Sequence, residues 1–309
     1  MRVTQRVKKI LSDYDSENPG VKAKLAQMLM NGRLGGTGRM IILPVDQGIE
    51  HGPARSFAVN PDGYDPMYHH QLAIDAGLSA YAAPLGQLEV SSQAFFGQIP
   101  TIVKLNHSNS LSRLKEDADQ AIFGSVEDCL RLGASAIGFT IYPGSDLGLE
   151  QMEEIADLIR EAKAAGLPTV LWSYPRGGNL SKDGETAMDV VAYGAHLAAQ
   201  LGAHIIKVKL PTNHLEQAEA KKEFQGANVA IASQADRVTE VVRSCFNGRR
   251  IVVFSGGAAK GTDAVLDDAR AIHQGGGNGS IIGRNCFRRP RDEAMTLLDT
   301  MVKIFQGKA

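Results

Sequence analysis

His204-Ile205-Ile206-Lys207-Val208-Lys209-Leu210-Pro211 sets two lysines, two residues apart, inside a short apolar run. Side chains alternate along a strand, so Lys207 and Lys209 share one face while Ile206, Val208 and Leu210 occupy the other. Taken alone, the segment reads as a half-buried strand with a solvated lysine face, because lysine is rarely buried without a reason. Its neighbours in the chain change that reading. Seven further apolar runs accompany it: Met40 to Val45, Ala80 to Ala83, Thr101 to Leu105, Ala136 to Ile141, Thr169 to Trp172, Ile251 to Phe254 and Ser280 to Ile282. Helical patterns fall between them, as over Glu150 to Ala165, Met188 to Leu201, Arg237 to Phe246 and Thr262 to His273, and Asp292 to Phe305 follows the last run. Several of these helical stretches close on a glycine. Near-continuous apolar strands alternating with helices predict a parallel sheet covered by helices, and eight units predict closure as an α/β (β/α)₈ TIM barrel. The second unit is the least regular, since Gln93 to Gly97 makes a poor helix and reads as a loop.

Residues 1–38 carry no strand pattern. A basic amphipathic start, the turn signal Ser16-Glu17-Asn18-Pro19-Gly20, a helical stretch through Met30 and the glycine-rich Gly32 to Gly38 predict an N-terminal helical extension. It is expected to pack on the barrel or at a subunit contact, leaving residues 39–309 as the catalytic barrel.

A chain of 309 residues fits one such barrel with an extension. Hydrophobic residues make up 43%, charged residues 22%, and a net charge of -1 gives no global electrostatic reason to bind nucleic acid or membrane. No apolar run approaches the roughly 20 residues that span a bilayer, and Met1 to Leu11 is too basic and mixed for a signal peptide, so a cytoplasmic protein is expected. Cys129, Cys245 and Cys286 lack CxxC spacing and are expected as free thiols. The histidines form no HExxH or comparable pair, and no metal is expected.

In a barrel of this kind chemistry gathers where the strands end. Asp46 emerges at the end of the first run, either as a carboxylate at the mouth or as a loop cap. Lys104 ends the third, either to anchor an anionic group or to pair with a carboxylate. Tyr174 ends the fifth, and its phenol is a usable acid/base group if nearby cations hold its pKa down; otherwise it is a half-buried tyrosine. Trp172 shares that face and lines either the pocket or the core. After the last two runs come Ser255-Gly256-Gly257-Ala258-Ala259-Lys260-Gly261 and Ile282-Gly283-Arg284-Asn285. Glycines there let backbone N–H groups approach a phosphate, and Arg284 adds a charged donor. The pattern is not GxxxxGK[ST], so no nucleotide loop is implied. An inward Lys207, desolvated and next to the like charge of Lys209, favours free amine near neutral pH. Such an amine attacks ketones, and the resulting iminium stabilises a carbanion at the adjacent carbon. Cleavage of a phosphorylated ketose is one chemistry that fits; a phosphosugar-binding or isomerising barrel, with both lysines serving only as charge, is another.

The runs Ile42-Leu43-Pro44-Val45-Asp46-Gln47-Gly48-Ile49-Glu50-His51, Val103-Lys104-Leu105-Asn106-His107, Val170-Leu171-Trp172-Ser173-Tyr174, Ile206-Lys207-Val208-Lys209, Ser255-Gly256-Gly257-Ala258-Ala259 and Ile282-Gly283-Arg284 together resemble the class I fructose-bisphosphate aldolases of the archaeal and bacterial type, the DhnA-like family. The resemblance implies a (β/α)₈ barrel, commonly assembled as a decamer, acting on a phosphorylated sugar through a covalent lysine and without a cofactor or metal. It also implies that Lys207 forms the Schiff base, Tyr174 is the acid/base tyrosine, Asp46 the strand-one carboxylate, Trp172 a pocket-lining residue and Lys209 a second pocket lysine. Ser255, Gly256, Gly257, Gly283 and Arg284 match the phosphate-binding loops. The weakly patterned Thr212 to Ala235 is expected to contact the distal phosphate or aldehyde half. A related Schiff-base synthase of the transaldolase type, or a thiolase on another phosphorylated sugar, is the nearest rival.

Overall fold

A computed structural model of the chain describes residues 2–112, 118–257 and 259–309. Eight parallel strands close into a barrel in sequence order: β1 (Met40–Pro44), β2 (Ala80–Pro84), β3 (Thr101–Lys104), β4 (Ala136–Ile141), β5 (Thr169–Ser173), β6 (Ile205–Lys209), β7 (Ile251–Ser255) and β8 (Gly279–Ile281). Helices cover the outside, among them Gly148–Ala164, Met188–Gln200, Thr262–Gln274 and Arg291–Phe305. The strands are buried on both faces because two different layers meet them. Ile41, Leu43, Val103, Phe139, Leu171, Ile206, Val208 and Phe254 pack outward into the core shared with the helices. Their alternates Ile42, Ala82, Ile102, Val170, Trp172, Ile205 and Val253 fill the interior. That double burial is why the strands read as apolar runs in the sequence.

Small residues make room for one large side chain inside. A Cβ on Gly138 would lie 2.7 Å from Cζ3 of Trp172, so the only tryptophan occupies space that Gly138 leaves open. Gly279 answers a backbone demand instead. It has φ +130, and any Cβ there would sit 1.9 Å from the Met40 carbonyl where β8 meets β1.

The extension forms the floor of the barrel. Helices Gln5–Leu11 and Pro19–Met30 are capped by Thr4 and Asn18, and Asn18 lies within the turn signal read from the sequence. Val7, Tyr14, Val21, Leu25, Met28 and Leu29 pack against the lower interior residues of the strands in one cluster. Tyr14 reaches furthest. Its hydroxyl donates to the His204 carbonyl at 2.6 Å and accepts from the Ile251 N–H at 3.0 Å, stitching β6 to β7 at their starts.

Two expectations need correction. Gln93 to Gly97 is not a loop throughout, because a helix runs over Leu85–Phe95; only Leu88 and Ser91 of it are buried, too thin a stripe to show as periodicity. The third strand stops at Lys104, and Asn106–His107 beyond it pair antiparallel with Ala121–Ile122, so Lys104 is buried rather than open at the strand end. Asn106 bonds the Thr140 backbone in both directions, at 2.8 and 2.6 Å, which explains a polar side chain inside. The weakly patterned Thr212 to Ala235 holds a helix, Ala218–Gly226, with no buried residue, which is why it lacked a pattern, while Thr212, Asn213, Ala232 and Gln234 line the cavity at the strand ends.

Candidate active site

The strand ends open into a cavity of about 1160 Å³, lined among others by Asp46, Tyr174, Lys207, Ser255, Gly283 and Arg284. β6 runs from the floor to this cavity, and alternation turns Lys207 inward beneath the mouth. Lys207 is only 3% exposed. Its ammonium lies 5.1 Å from the Trp172 ring and 5.5 Å from the Tyr174 ring, so aromatic faces rather than water surround it. Burial pulls its pKa down from 10.5 to about 8; Asp46 and Glu50 oppose the fall, while Lys104 and Arg284 add to it. About a tenth of the groups are therefore free amine at pH 7, several hundredfold more than at the ordinary value. Lys209 does not supply that repulsion as expected. Its ammonium pairs with Glu185 at 3.2 Å, at the outer rim of the cavity.

The carboxylates beside Lys207 come from the loop and short helix after β1. Asp46 is buried, makes no side-chain cap, and its Oδ1 has no hydrogen-bond partner among the described residues, so the loop-cap reading does not hold. Burial pushes its pKa up, but Lys104, Lys207 and His107 outweigh burial and hold it below the ordinary range. Glu50, one helical turn on, moves the other way: burial and the Asp46 charge raise it against Lys104, Lys207 and Arg176. Two neighbouring carboxyl groups are thus driven apart, one ionised and one inclined to keep its proton.

Tyr174 faces the same space, and its phenol is held well above its ordinary pKa by burial first and then by Asp46 and Glu50. The expectation that cations would hold it down is not met. Lys207 and Lys209 stand 5.5 and 5.9 Å from its ring, yet the carboxylates and the loss of water decide the sign. Ser255 at the end of β7 only partly offsets that rise. The resting group is a neutral phenol, and its tyrosinate would be a strong base.

Across the cavity the loops after β7 and β8 lock together. Asn285 donates from Nδ2 to the Gly256 carbonyl at 2.9 Å and accepts from the Lys260 N–H at 2.8 Å, clamping both ends of the glycine turn. A Cβ on Gly256 would come within 3.1 Å of that amide, and one on Gly283 within 2.9 Å of the Pro44 carbonyl. Arg284 donates to the Gly257 carbonyl at 3.3 Å, which aims its guanidinium along the turn. Ser255, Gly256, Gly257, Gly283 and Arg284 are brought together on one side of the cavity, where a guanidinium beside glycine backbone suits an anion. Ala258 lies outside the described residues.

Two expected site residues sit behind the wall. Trp172 and Lys104 are each 1% exposed, and neither lines the cavity. Trp172 forms the floor under Lys207, and its buried indole N–H has no partner among the described residues. Lys104 bonds the Asn106 carbonyl and, at 3.5 Å, Gln120. It lies in the field of Asp46 and Glu50, which opposes the fall that burial imposes on its pKa, but it forms no ion pair with either among the described residues. Glu50, His51, Arg176, Lys260 and Asp268 also line the cavity and were not singled out. Arg176 carried a signal, since it follows Tyr174 by two residues; it now lies 4.4 Å from the Tyr142 ring, and its Nε has no partner among the described residues. Among the described residues no group of three His, Cys, Asp or Glu side chains is placed to hold a metal ion.

A parallel eight-stranded barrel with a desolvated lysine on β6, facing an acid pair, a phenol and glycine turns suited to an anion, defines a carbonyl-attacking aldolase class. The chain belongs to the DeoC/LacD aldolase family, whose model matches residues 40–289. It is 35% identical to the probable fructose-bisphosphate aldolase class 1 of Chlamydia muridarum, over 97% of this chain and 88% of the relative. It is 37% identical to the fructose-bisphosphate aldolase class 1 of Thermoproteus tenax, over 82% of this chain and 84% of that one. A solved archaeal fructose-1,6-bisphosphate aldolase, with its catalytic lysine covalently bound to the carbinolamine intermediate of the substrate, superposes with a TM-score of 0.75 at 33% identity; the match covers 91% of this chain and 98% of the other.

Proposed function

We infer that the protein is a class I, Schiff-base aldolase that reversibly cleaves fructose 1,6-bisphosphate to dihydroxyacetone phosphate and glyceraldehyde 3-phosphate. The observation that carries this reading is Lys207, buried midway along β6 with its pKa lowered to about 8. Lys207 adds to C2 of the ketose as a free amine, and Asp46 relays the proton from nitrogen to the new alkoxide. Tyr174, held protonated, gives its proton to the carbinolamine hydroxyl, which leaves as water and forms the iminium. The tyrosinate left behind takes the C4 hydroxyl proton as the C3–C4 bond breaks into the iminium, releasing glyceraldehyde 3-phosphate and an enamine. Tyr174 then returns the proton to C3, and water hydrolyses the iminium to dihydroxyacetone phosphate and free Lys207.

The cradle of Ser255, Gly256, Gly257, Gly283 and Arg284 takes the C1 phosphate. Arg176 and Lys209 at the opposite rim suit the distal phosphate, while Arg237 is committed to four bonds within its own loop, including Pro211 at 2.9 Å and Ile231 at 2.7 Å. Residues 1–38 serve as the floor and 39–309 as the catalytic barrel. The chemistry needs no metal, and the enzyme acts in glycolysis or gluconeogenesis in the cytoplasm. Several copies assemble, with exposed apolar side chains such as Val90, Phe96 and Leu130 available for contacts. Borohydride with dihydroxyacetone phosphate should label the protein in the presence of a chelator, and Lys207→Met should abolish labelling. Label retained on Lys209 would overturn the assignment; no label on the parent protein would favour an isomerising barrel without a covalent intermediate.

A further inference from the structure

Lys260 leaves the glycine turn after β7, and Asp268 projects from helix Thr262–Gln274. Both line the active-site cavity, and their side chains form a close ion pair, 31% and 22% exposed. The two ends of the pair are held differently. The Lys260 backbone is pinned, its N–H donating to Asn285 at 2.8 Å and its carbonyl accepting from Arg289 at 3.2 Å. Asp268 is fixed to a rigid helix. What remains mobile is the four-carbon stem of Lys260, a point charge on a flexible arm, whereas Arg284 is tied to the Gly257 carbonyl.

We propose that Lys260 and Asp268 form a phosphate-responsive latch: Asp268 holds the ammonium aside in the empty cavity, and a phosphomonoester dianion seated on the glycine cradle draws Lys260 off the carboxylate. The phosphate offers more charge and three acceptor oxygens against the two of a carboxylate. Lys260 then discriminates phosphorylated from unphosphorylated ketoses, and Asp268 sets how tightly the phosphate is kept. This rests on the reading of the cradle as a phosphate site and not on the Schiff base.

The test is calorimetric titration of the full chain with glycerol 3-phosphate, which has the phosphate but no carbonyl. Lys260→Ala, with Lys260→Met as a bulkier companion, should weaken binding about ten- to a hundredfold, the scale of one charge-assisted bond. Asp268→Asn should tighten it at least threefold, and that gain should vanish in the Lys260→Ala background. Unchanged binding in both Lys260 variants, weakening by Asp268→Asn, or an equal gain without Lys260 would each overturn the latch. A parent protein that binds glycerol 3-phosphate but resists borohydride labelling would remove the aldolase reading and leave the latch standing.

Discussion

Just before β6 and midway along it, His204 and Lys207 are buried titratable groups three residues apart, and they are treated in opposite ways. At the floor, His204 accepts the Thr169 N–H at 2.9 Å, lies 3.3 Å from Glu17, stacks on Tyr14 and lends its carbonyl to the Tyr14 hydroxyl. Glu17 is in turn paired with Lys163 at 2.8 Å. At the mouth, Lys207 is as deeply buried but stands among aromatic faces, and Asp46 leaves a carboxylate oxygen unbonded. The difference lies in the charges: Nε2 of His204, like Oδ1 of Asp46, has no hydrogen-bond partner among the described residues, but Glu17 at the floor is paired with Lys163, whereas neither Lys207 nor Asp46 has an ion-pair partner among the described residues. Unpaired buried charges cost stability and are kept where chemistry uses them. The floor is built to hold and the mouth to react.

The sharpest break of this comparison is Lys207→Met, which should abolish turnover and at the same time raise the melting temperature. The sign follows from linkage. With a folded pKa of about 8 against the ordinary 10.5, the folded chain binds fewer protons between those values, so stability rises as pH climbs from 8 to 10.5. Below pH 8 the buried lysine costs on the order of 3 kcal/mol, and methionine removes that cost. A variant that is inactive and less stable would show Lys207 to be structural as well.

Tyr174→Phe should still accept borohydride label at Lys207 but turn over about 10²–10⁴-fold more slowly, the range for loss of a positioned acid/base group. Near-normal turnover would remove Tyr174 from the mechanism. For the parent, the rate of adduct formation should rise with pH and level off above about 8, as Lys207 becomes amine. A rate that falls over that span would mean that Lys207 is not the group titrating.

At the floor the order reverses, with stability moving and chemistry spared. Tyr14→Phe should cost about 1–2 kcal/mol, the scale of a buried hydroxyl's bonds, with kcat and KM unchanged. Glu17 is held at about 2, chiefly by His204 beside it and against burial, so its stabilisation is complete above the ordinary 4.5 and is lost as pH falls towards 2. Acid unfolding of Glu17→Gln should therefore begin from a lower stability but fall less steeply across that window.

Much of this was legible along the chain. The barrel strands announced themselves because each is buried on both sides, and the spacing of Lys207 from Ile206 and Val208 put it on the inward face. The glycine turns after β7 and β8 were found by their place in the count of units. Other features had no local mark. Glu50 and His51 follow Asp46 in a stretch that also suits an ordinary loop, and Lys209 meets Glu185 from 24 residues earlier in the chain. Lys104 looked like a mouth cation until the chain after it turned into a ribbon.

By itself, then, the sequence determined the eight-unit barrel, the inward lysine and the positions of the phenol and the cradle, because alternation and unit order are local properties of the chain. Only the tertiary structure decided the protonation of those groups and the partners of the two lysines. The field at Lys207 comes from Asp46 and Glu50 after β1, Lys104 on β3 and Arg284 after β8, and these charges act through space once closure of the barrel brings the strand ends together and excludes water.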